Sequence, residues 1–261
     1  MTVVAMTIAG SDPSGGAGLQ ADLKTFHQHG VYGTSIVTLL TVQNTRSVEA
    51  VETLPPALVA RQLRAVLTDI PPQAAKTGAL GSAPLIEVVV DELSPYSFPL
   101  VVDPVMISKH GVPLLDEAAI DCLKSLLLPR TFLLTPNLAE AAALVKTHVD
   151  DKSSMETAAR AIADLGPKHV LVKGGHLRGE ALDVLYAEGL MHHVPAARIP
   201  TRNTHGTGCV LSAAITARLA LGQDIFHAVE GAKRFVTDAI RTNPGLGHGL
   251  GPVNLHARVE G

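Results

Sequence analysis

Tryptophan is absent from the 261-residue chain, and three tyrosines and five phenylalanines are all the large aromatic surface it carries. That scarcity argues against the stacking platforms that hold single-stranded nucleic acid. Cysteine is nearly as rare. Cys122 and Cys209 are the only two, too few for a disulfide framework and too far apart in sequence to suggest a clustered zinc site. Positive charge is not in excess either: a formal net charge of -3 gives no general attraction to nucleic acid or anionic membrane, so any phosphate site must be built locally. No apolar run approaches a membrane span. The stretch Met1-Thr2-Val3-Val4-Ala5-Met6-Thr7-Ile8 lacks the charged start and long apolar region of a signal peptide and reads as a first strand. A soluble, cytoplasmic protein with no nucleic-acid or membrane partner is expected. No Pro/Ser-rich linker or charge block divides the chain, so one domain over 1–261 is expected, large enough to bury a sizeable core.

What is present is an alternation of short β-branched runs with helical patterns, the signature of an α/β fold whose mostly parallel sheet is covered by helices on both faces. Strands are expected at Val3–Ile8, Ser35–Thr41, Ala74–Thr77, Leu100–Val102, Phe132–Thr135, His169–Lys173 and Ala181–Tyr186. Amphipathic helices are expected at Leu58–Leu67, Ala83–Leu93, Ala118–Leu127 and Met155–Leu165. Open α/β sheets bind ligands outside the carboxyl ends of their strands, and polar or glycine-rich residues follow nearly every strand here. They are Gly10 to Gly18, Gln43-Asn44-Thr45, Lys76-Thr77-Gly78, Asp103-Pro104-Val105-Met106, Thr135-Pro136-Asn137 and Lys173-Gly174-Gly175-His176. One shared cleft is the economical reading.

The chain is organised around Thr204-His205-Gly206-Thr207-Gly208-Cys209, which runs into the alanine- and leucine-rich pattern after Val210. Glycines let backbone N–H groups turn inward, and the unpaired amides of a helix's first turn add partial positive charge, so Gly206, Thr207, Gly208 and Cys209 are candidates for an anion-binding turn. Cys209 would lie where a thiolate is favoured relative to an ordinary buried thiol and is a candidate base. The alternative is a tight loop ahead of a buried helix with a small apolar cysteine.

Other motifs narrow the chemistry. Gly16-Ala17-Gly18-Leu19-Gln20-Ala21 matches a dinucleotide-binding pattern, so an NAD-dependent oxidoreductase is an alternative. Ser11 to Gly15 intervene after the strand, however, and the second strand ends in Gln43 and Asn44 where an acidic residue is wanted. No G-x-x-x-x-G-K-[ST] run occurs, so if ATP is used its phosphates are held otherwise. The Gly206–Cys209 turn can do this, with Mg²⁺ supplied through Asp103 and Glu140, since magnesium takes one or two carboxylates and keeps waters and phosphate oxygens. A turn or cap role for Asp103 and a solvated first-turn role for Glu140 stay open. Lys173 can meet a nucleotide phosphate as a point charge, or be an ordinary strand-end lysine. Gln43 matches the edge of a heteroaromatic ring with a ring nitrogen beside an amino group, or else ties down a turn. Asp22 binds substrate or complements a helix dipole. His192 and His193 are expected on opposite faces of a strand, unable to chelate one metal together, and Cys122 is expected in the core.

Taken in order, Ala9 to Gly18, Gln43-Asn44-Thr45, Asp103 to Met106, Thr135 to Glu140, Val172 to His176 and Thr204 to Cys209 resemble the bifunctional hydroxymethylpyrimidine/phosphomethylpyrimidine kinases of thiamine biosynthesis. The resemblance covers almost the whole chain. It implies a ribokinase-like three-layer α/β/α sandwich without a separate lid domain, and a homodimer. It further implies that Gln43 and Asp22 contact the pyrimidine and that Ala79 and Val105 line its pocket. Asp103 and Glu140 would hold Mg²⁺ directly or through water, with Asn137 and Glu140 matching an Asn-x-x-Glu element and Asn137 on the nucleotide side. Lys173 would meet ATP phosphates, and Cys209 would stand where ribokinases place an aspartate base. This chain departs from many relatives at Ala79 (Met), at Lys109-His110-Gly111 (Lys-Ser-Gly) and at Val210 (Thr). The related pyridoxal kinases share the cysteine turn, so vitamin B6 phosphorylation is the rival implication; a noncatalytic pyrimidine-binding regulator is a third.

Overall fold

A computed structural model describes residues 2–107, 111–175, 177 and 181–259; Lys109, His110 and His176, named above, lie outside them. In chain order the main elements are β1 (Val4–Ser11), α1 (Gly18–Gln28), β2 (Tyr32–Gln43), β3 (Val48–Thr53), α2 (Pro56–Asp69), β4 (Ala74–Thr77), α3 (Ala83–Leu93), β5 (Leu100–Val102) and α4 (Glu117–Cys122). Then come β6 (Leu133–Leu134), α5 (Leu138–Val145), α6 (Lys152–Ala163), β7 (His169–Val172), β8 (Asp183–Ala187), β9 (Leu190–Val194), α7 (Thr207–Ala220) and α8 (Ile225–Arg241). The sheet order is β3-β2-β1-β4-β5-β6-β7-β8-β9. From β2 to β7 the pairing is parallel; β3 joins antiparallel at one end, and β8 and β9 at the other.

Strand side chains alternate between two cores. Met6, Ile8, Val102, Leu134 and Val170 pack with α2, α3, α4 and α6 on one face, while Ala5, Val101, Leu133 and Leu171 pack with α1, α7 and α8 on the other. That is the period-2 rule of a sheet buried on both sides, and it is why the parallel strands read as continuous apolar runs. The expected three-layer sandwich is the fold observed. α7 is buried nearly all round, with Ala213, Ala214 and Ala217 wholly inaccessible. Its small side chains let α1 and the strands beneath it approach closely, and this brings its N-terminus to the floor of the cleft.

The strand order turns back at β1, which lies between β2 and β4, and the crevice at such a switch point is where α/β sheets bind ligands. Differences from the sequence reading lie in the lengths of strands and at the sheet's two edges. The first strand runs on through Gly10 to Ser11, the strand expected from Ala181 starts at Asp183, and β3 and β9 were not expected. β3 has the sequence Val-Glu-Ala-Val-Glu-Thr, with no regular alternation and no buried residue, so it carries little apolar signal. On β9, His192 stacks near Phe226 with ring centroids 4.4 Å apart, whereas His193 bonds Glu156 at 2.7 Å. The pair faces opposite ways, as expected.

Candidate active site

A cleft of about 870 Å³ opens at the carboxyl ends of β1, β4, β5 and β7. Its floor is the start of α7. Gly206 is the N-cap at φ +80° with no side chain capping the helix; the Thr207 amide donates to the Thr204 carbonyl at 3.3 Å, which leaves the Gly208 and Cys209 amides as the ones a ligand can use. Thr207 anchors the turn by donating its hydroxyl to the Thr204 carbonyl at 2.8 Å. The loop between β1 and α1 lies across this turn so closely that a Cβ on Gly206 would sit 1.8 Å from the Gly16 carbonyl oxygen. Asp12 holds that loop. Its carboxylate accepts from the Ser14, Gly16 and Ala17 amides at 2.8, 3.2 and 2.8 Å, and from His205 Nε2 at 2.8 Å. Burial pushes the Asp12 carboxyl upward, but hydrogen bonds from His205, Ser14 and Gln43 outweigh it and hold the group well below the usual carboxylate range. The loop ends at Gly18, at φ +54°, whose amide donates to Cys209.

Cys209 is half-buried and lines the cleft at the helix start. Burial pushes its thiol up to about 11, with Lys76 pulling downward and Asp22 and Asp103 opposing. The helix terminus therefore does not yield a resting thiolate: desolvation exceeds what a first-turn amide returns.

Asp103 and Glu140 are both buried at the cleft wall. Lys173 Nζ donates to Asp103 Oδ1 at 2.9 Å, so the cation expected for phosphate and a carboxylate expected for metal are in direct contact. Glu140 closes a capping box with Asn137: the Asn137 amide donates to Glu140 Oε2 at 2.8 Å and the Glu140 amide to Asn137 Oδ1 at 3.0 Å. Burial raises the Glu140 carboxyl, as does Asp103, against the pull of Lys173. Lys173 is held above the ordinary lysine range despite burial, by Asp103 and Glu140. Among the described residues no group of three or more His, Cys, Asp or Glu is placed to hold a metal. A pair of converging carboxylates beside an anion-binding turn suits an ion that takes most of its ligands from water and phosphate, as Mg²⁺ does.

Gln43, Ala79 and Val105 line the same cleft, with Leu39 and Thr41. Asp22 does not join them, contrary to expectation. It is fully buried, accepting from Lys76 Nζ at 2.8 and 2.9 Å and from Thr7 Oγ1 at 2.6 Å, so its carboxylate is committed internally. Three partnerships escaped the sequence reading: Lys76 with Asp22, Asp12 with His205, and Lys233, which lines the cleft, with Asp183 at 2.7 Å. Each partnership joins residues 50 or more positions apart, a relation no local pattern reports.

The family model for phosphomethylpyrimidine kinase matches residues 12–254. The hydroxymethylpyrimidine/phosphomethylpyrimidine kinase of Synechococcus elongatus is 47% identical over 252 residues, 96% of each chain. The thiamine biosynthesis bifunctional protein ThiED of Geobacter sulfurreducens is 47% identical over 95% of this chain, which spans only 51% of that longer protein. Among solved structures, an ADP complex of Bacillus subtilis pyridoxal kinase superposes with a TM-score of 0.92 at 35% identity, over 98% of both chains.

Proposed function

The chain belongs to the phosphomethylpyrimidine kinase family, and from that membership we propose how its cleft phosphorylates 4-amino-5-hydroxymethyl-2-methylpyrimidine to the monophosphate and then to the pyrophosphate in thiamine biosynthesis. The carrying observation is that an uncapped helix start, two carboxylates and a lysine line one cleft together with Gln43, Ala79 and Val105. Phosphoryl transfer is mostly positioning and charge neutralisation, and this donor set supplies both.

ATP is the donor. Its terminal phosphate rests on the Gly208 and Cys209 amides of the Gly206–Cys209 turn, with Lys173 against the phosphates and Asn137 beside them. Asp103 and Glu140 hold Mg²⁺, which when bound neutralises phosphate charge. Gln43 reads the ring edge while Ala79 and Val105 flank it. In the first transfer the hydroxymethyl oxygen forms a bond to the terminal phosphorus, the bond from that phosphorus to ADP breaks, and the alcohol proton passes to the sulfur of Cys209. With the thiol raised by burial, that sulfur accepts the alcohol's proton only while it is in its minor thiolate form. In the second transfer the attacking group is a phosphate monoester, already anionic near neutral pH, and no proton acceptor is required. A cytoplasmic location and a homodimer belong to the same proposal. Among the described residues no helix is long and apolar enough to cross a membrane, and Leu40 and Val42, 47% and 51% exposed on one face of β2, offer apolar surface to a second copy.

Pyridoxal phosphorylation is the second reading, favoured by the fold match to pyridoxal kinase and by the small Ala79 wall. ADP release measured with hydroxymethylpyrimidine, its monophosphate, pyridoxal, and no acceptor decides between them. Turnover with both pyrimidines above the no-acceptor rate is expected. Turnover with pyridoxal alone would replace the reading.

A further inference from the structure

His205 stands one residue ahead of the N-cap of α7, and its ring is committed to a residue 193 positions earlier in the chain. Nε2 lies 2.8 Å from Asp12 Oδ2, and both side chains are buried. Asp12 is held well below the usual carboxylate range, so it is ionised and can only accept; His205 Nε2 therefore carries the hydrogen. The His205 backbone is pinned as well. Its amide donates to the Gly251 carbonyl at 3.0 Å and its carbonyl accepts from the Val253 amide at 3.4 Å, so the ring reaches Asp12 from a fixed base.

The other bonds of Asp12 hold the β1–α1 loop. Oδ1 accepts from the Ser14 amide and hydroxyl at 2.8 and 2.7 Å, and Oδ2 from the Gly16 and Ala17 amides at 3.2 and 2.8 Å. The Asp12 amide donates to Gln20 Oε1 at 2.8 Å, which ties the loop to α1, and the Gln43 side chain also donates to the carboxylate. One carboxylate thus joins the residue that reads the acceptor's ring edge, the glycine loop and the segment that starts the anion turn. Loop and turn meet without slack: a Cβ on Gly16 would stand 2.8 Å from His205 Cδ2 and 2.8 Å from Pro252 Cβ, and one on Gly206 would stand 1.8 Å from the Gly16 carbonyl oxygen. We propose that His205 is a positioning residue: its bond to Asp12 fixes the separation of the β1–α1 loop from the anion turn, and through that loop and Gln43 it holds the acceptor in line with the phosphoryl group. A bond from a pinned donor to a buried carboxylate is strong and directional, which suits it to this task. Without it Asp12 would still hold its own loop, because its bonds to Ser14, Gly16 and Ala17 stay within residues 12–17, but the loop would no longer be tied through Asp12 to residue 205.

The bearing on phosphoryl transfer rests on the kinase reading above, whereas the clamp itself is measured without substrate. His205→Leu removes the bond. His205→Asn keeps a polar side chain too short to reach Asp12 and serves if the leucine variant does not fold; His205→Gln places an amide N–H near the position of Nε2 and restores the donor. In hydrogen–deuterium exchange of the substrate-free protein, the peptide spanning residues 12–18 should exchange faster in His205→Leu and His205→Asn, and at the wild-type rate in His205→Gln. Steady-state kinetics with hydroxymethylpyrimidine, its monophosphate and pyridoxal supply the second readout. For whichever acceptor the wild type turns over, kcat should fall about tenfold to a hundredfold in the two disrupting variants. KM for ATP should move by less than about twofold, and His205→Gln should regain most of the lost kcat. A merely structural role would lower Tm and the folded fraction without changing kcat per folded molecule, and would not separate glutamine from asparagine. Unchanged exchange in the 12–18 peptide, wild-type kcat in both disrupting variants, or equal losses in His205→Gln and His205→Asn would overturn the proposal. No turnover by the wild type with any of the three acceptors would instead overturn the kinase reading, and the exchange rates would still decide the clamp.

Discussion

Replacing Gly206 by alanine tests the geometry of the anion turn at its tightest point. The residue is at φ +80° and the added Cβ would meet the Gly16 carbonyl oxygen at 1.8 Å and its carbon at 2.8 Å. Both are backbone atoms, so no rotamer change relieves the clash, and an ordinary contact requires the β1–α1 loop and the α7 start to part by more than 1 Å. The left-handed conformation adds about 1–2 kcal/mol for a residue with a Cβ. For a chain of this size that lowers Tm by several degrees, at about 2–4 °C per kcal/mol. Displacement by ~1 Å of groups that align reacting atoms costs about 10²-fold in rate, so kcat should fall about a hundredfold in both transfers. Gly208 is the control. A Cβ there meets only side-chain ends, Lys173 Nζ at 3.2 Å and Asp103 Oδ2 at 3.6 Å, within a helix where alanine is preferred to glycine by roughly 1 kcal/mol. Gly208→Ala should keep or raise Tm yet weaken the nucleotide site, seen as a higher KM for ATP. Steady-state kinetics of each half-reaction with thermal unfolding of both variants is the assay. Normal turnover in Gly206→Ala, or the same pattern of losses in the two variants, would refute the reasoning.

Cys209→Ala should cut the first transfer far more than the second, and wild-type kcat/KM for the first should climb about tenfold per pH unit from 6.5 to 9, since the acceptor thiol lies near 11. Equal losses in both half-reactions would remove the base. Gln43→Leu should weaken hydroxymethylpyrimidine binding by roughly 1–3 kcal/mol by titration calorimetry; unchanged affinity would leave Gln43 only its bond to Asp12. Asp12 is held below the unfolded carboxylate value, so its stabilisation is full above about pH 4 and is lost as pH falls toward the folded value. Asp12→Asn should therefore be less stable than wild type at pH 7, with the gap in urea midpoint narrowing by pH 3; parallel midpoints across that range would contradict the role of Asp12.

The parallel sheet and the helix start at Gly206 were legible because each is written locally. Leu100-Val101-Val102 is apolar on both faces, and Gly206-Thr207-Gly208 leads directly into an apolar helix. Gln43, Asp103, Val105, Asn137 and Lys173 follow strands whose ends converge in such a sheet, Glu140 stands one turn beyond Asn137, and Ala79 was implied only by the family resemblance; all of them line the cleft. Asp22 was misread for an instructive reason. A carboxylate in the first helix looks available to a ligand until Lys76, 54 residues later, is seen to claim it. The surroundings of Cys209 were illegible for a related one: a helix start is visible in sequence, but what packs around it, β4 and α1, is not.

The central claim is that the Gly208 and Cys209 backbone amides receive the phosphoryl group in transit. A crystal structure with a non-hydrolysable ATP analogue and hydroxymethylpyrimidine measures this directly. The account predicts the terminal phosphate within hydrogen-bonding distance of the Gly208 and Cys209 amides, with the hydroxymethyl oxygen between that phosphorus and the sulfur. A terminal phosphate bound elsewhere in the cleft, with those amides facing only water, would contradict it.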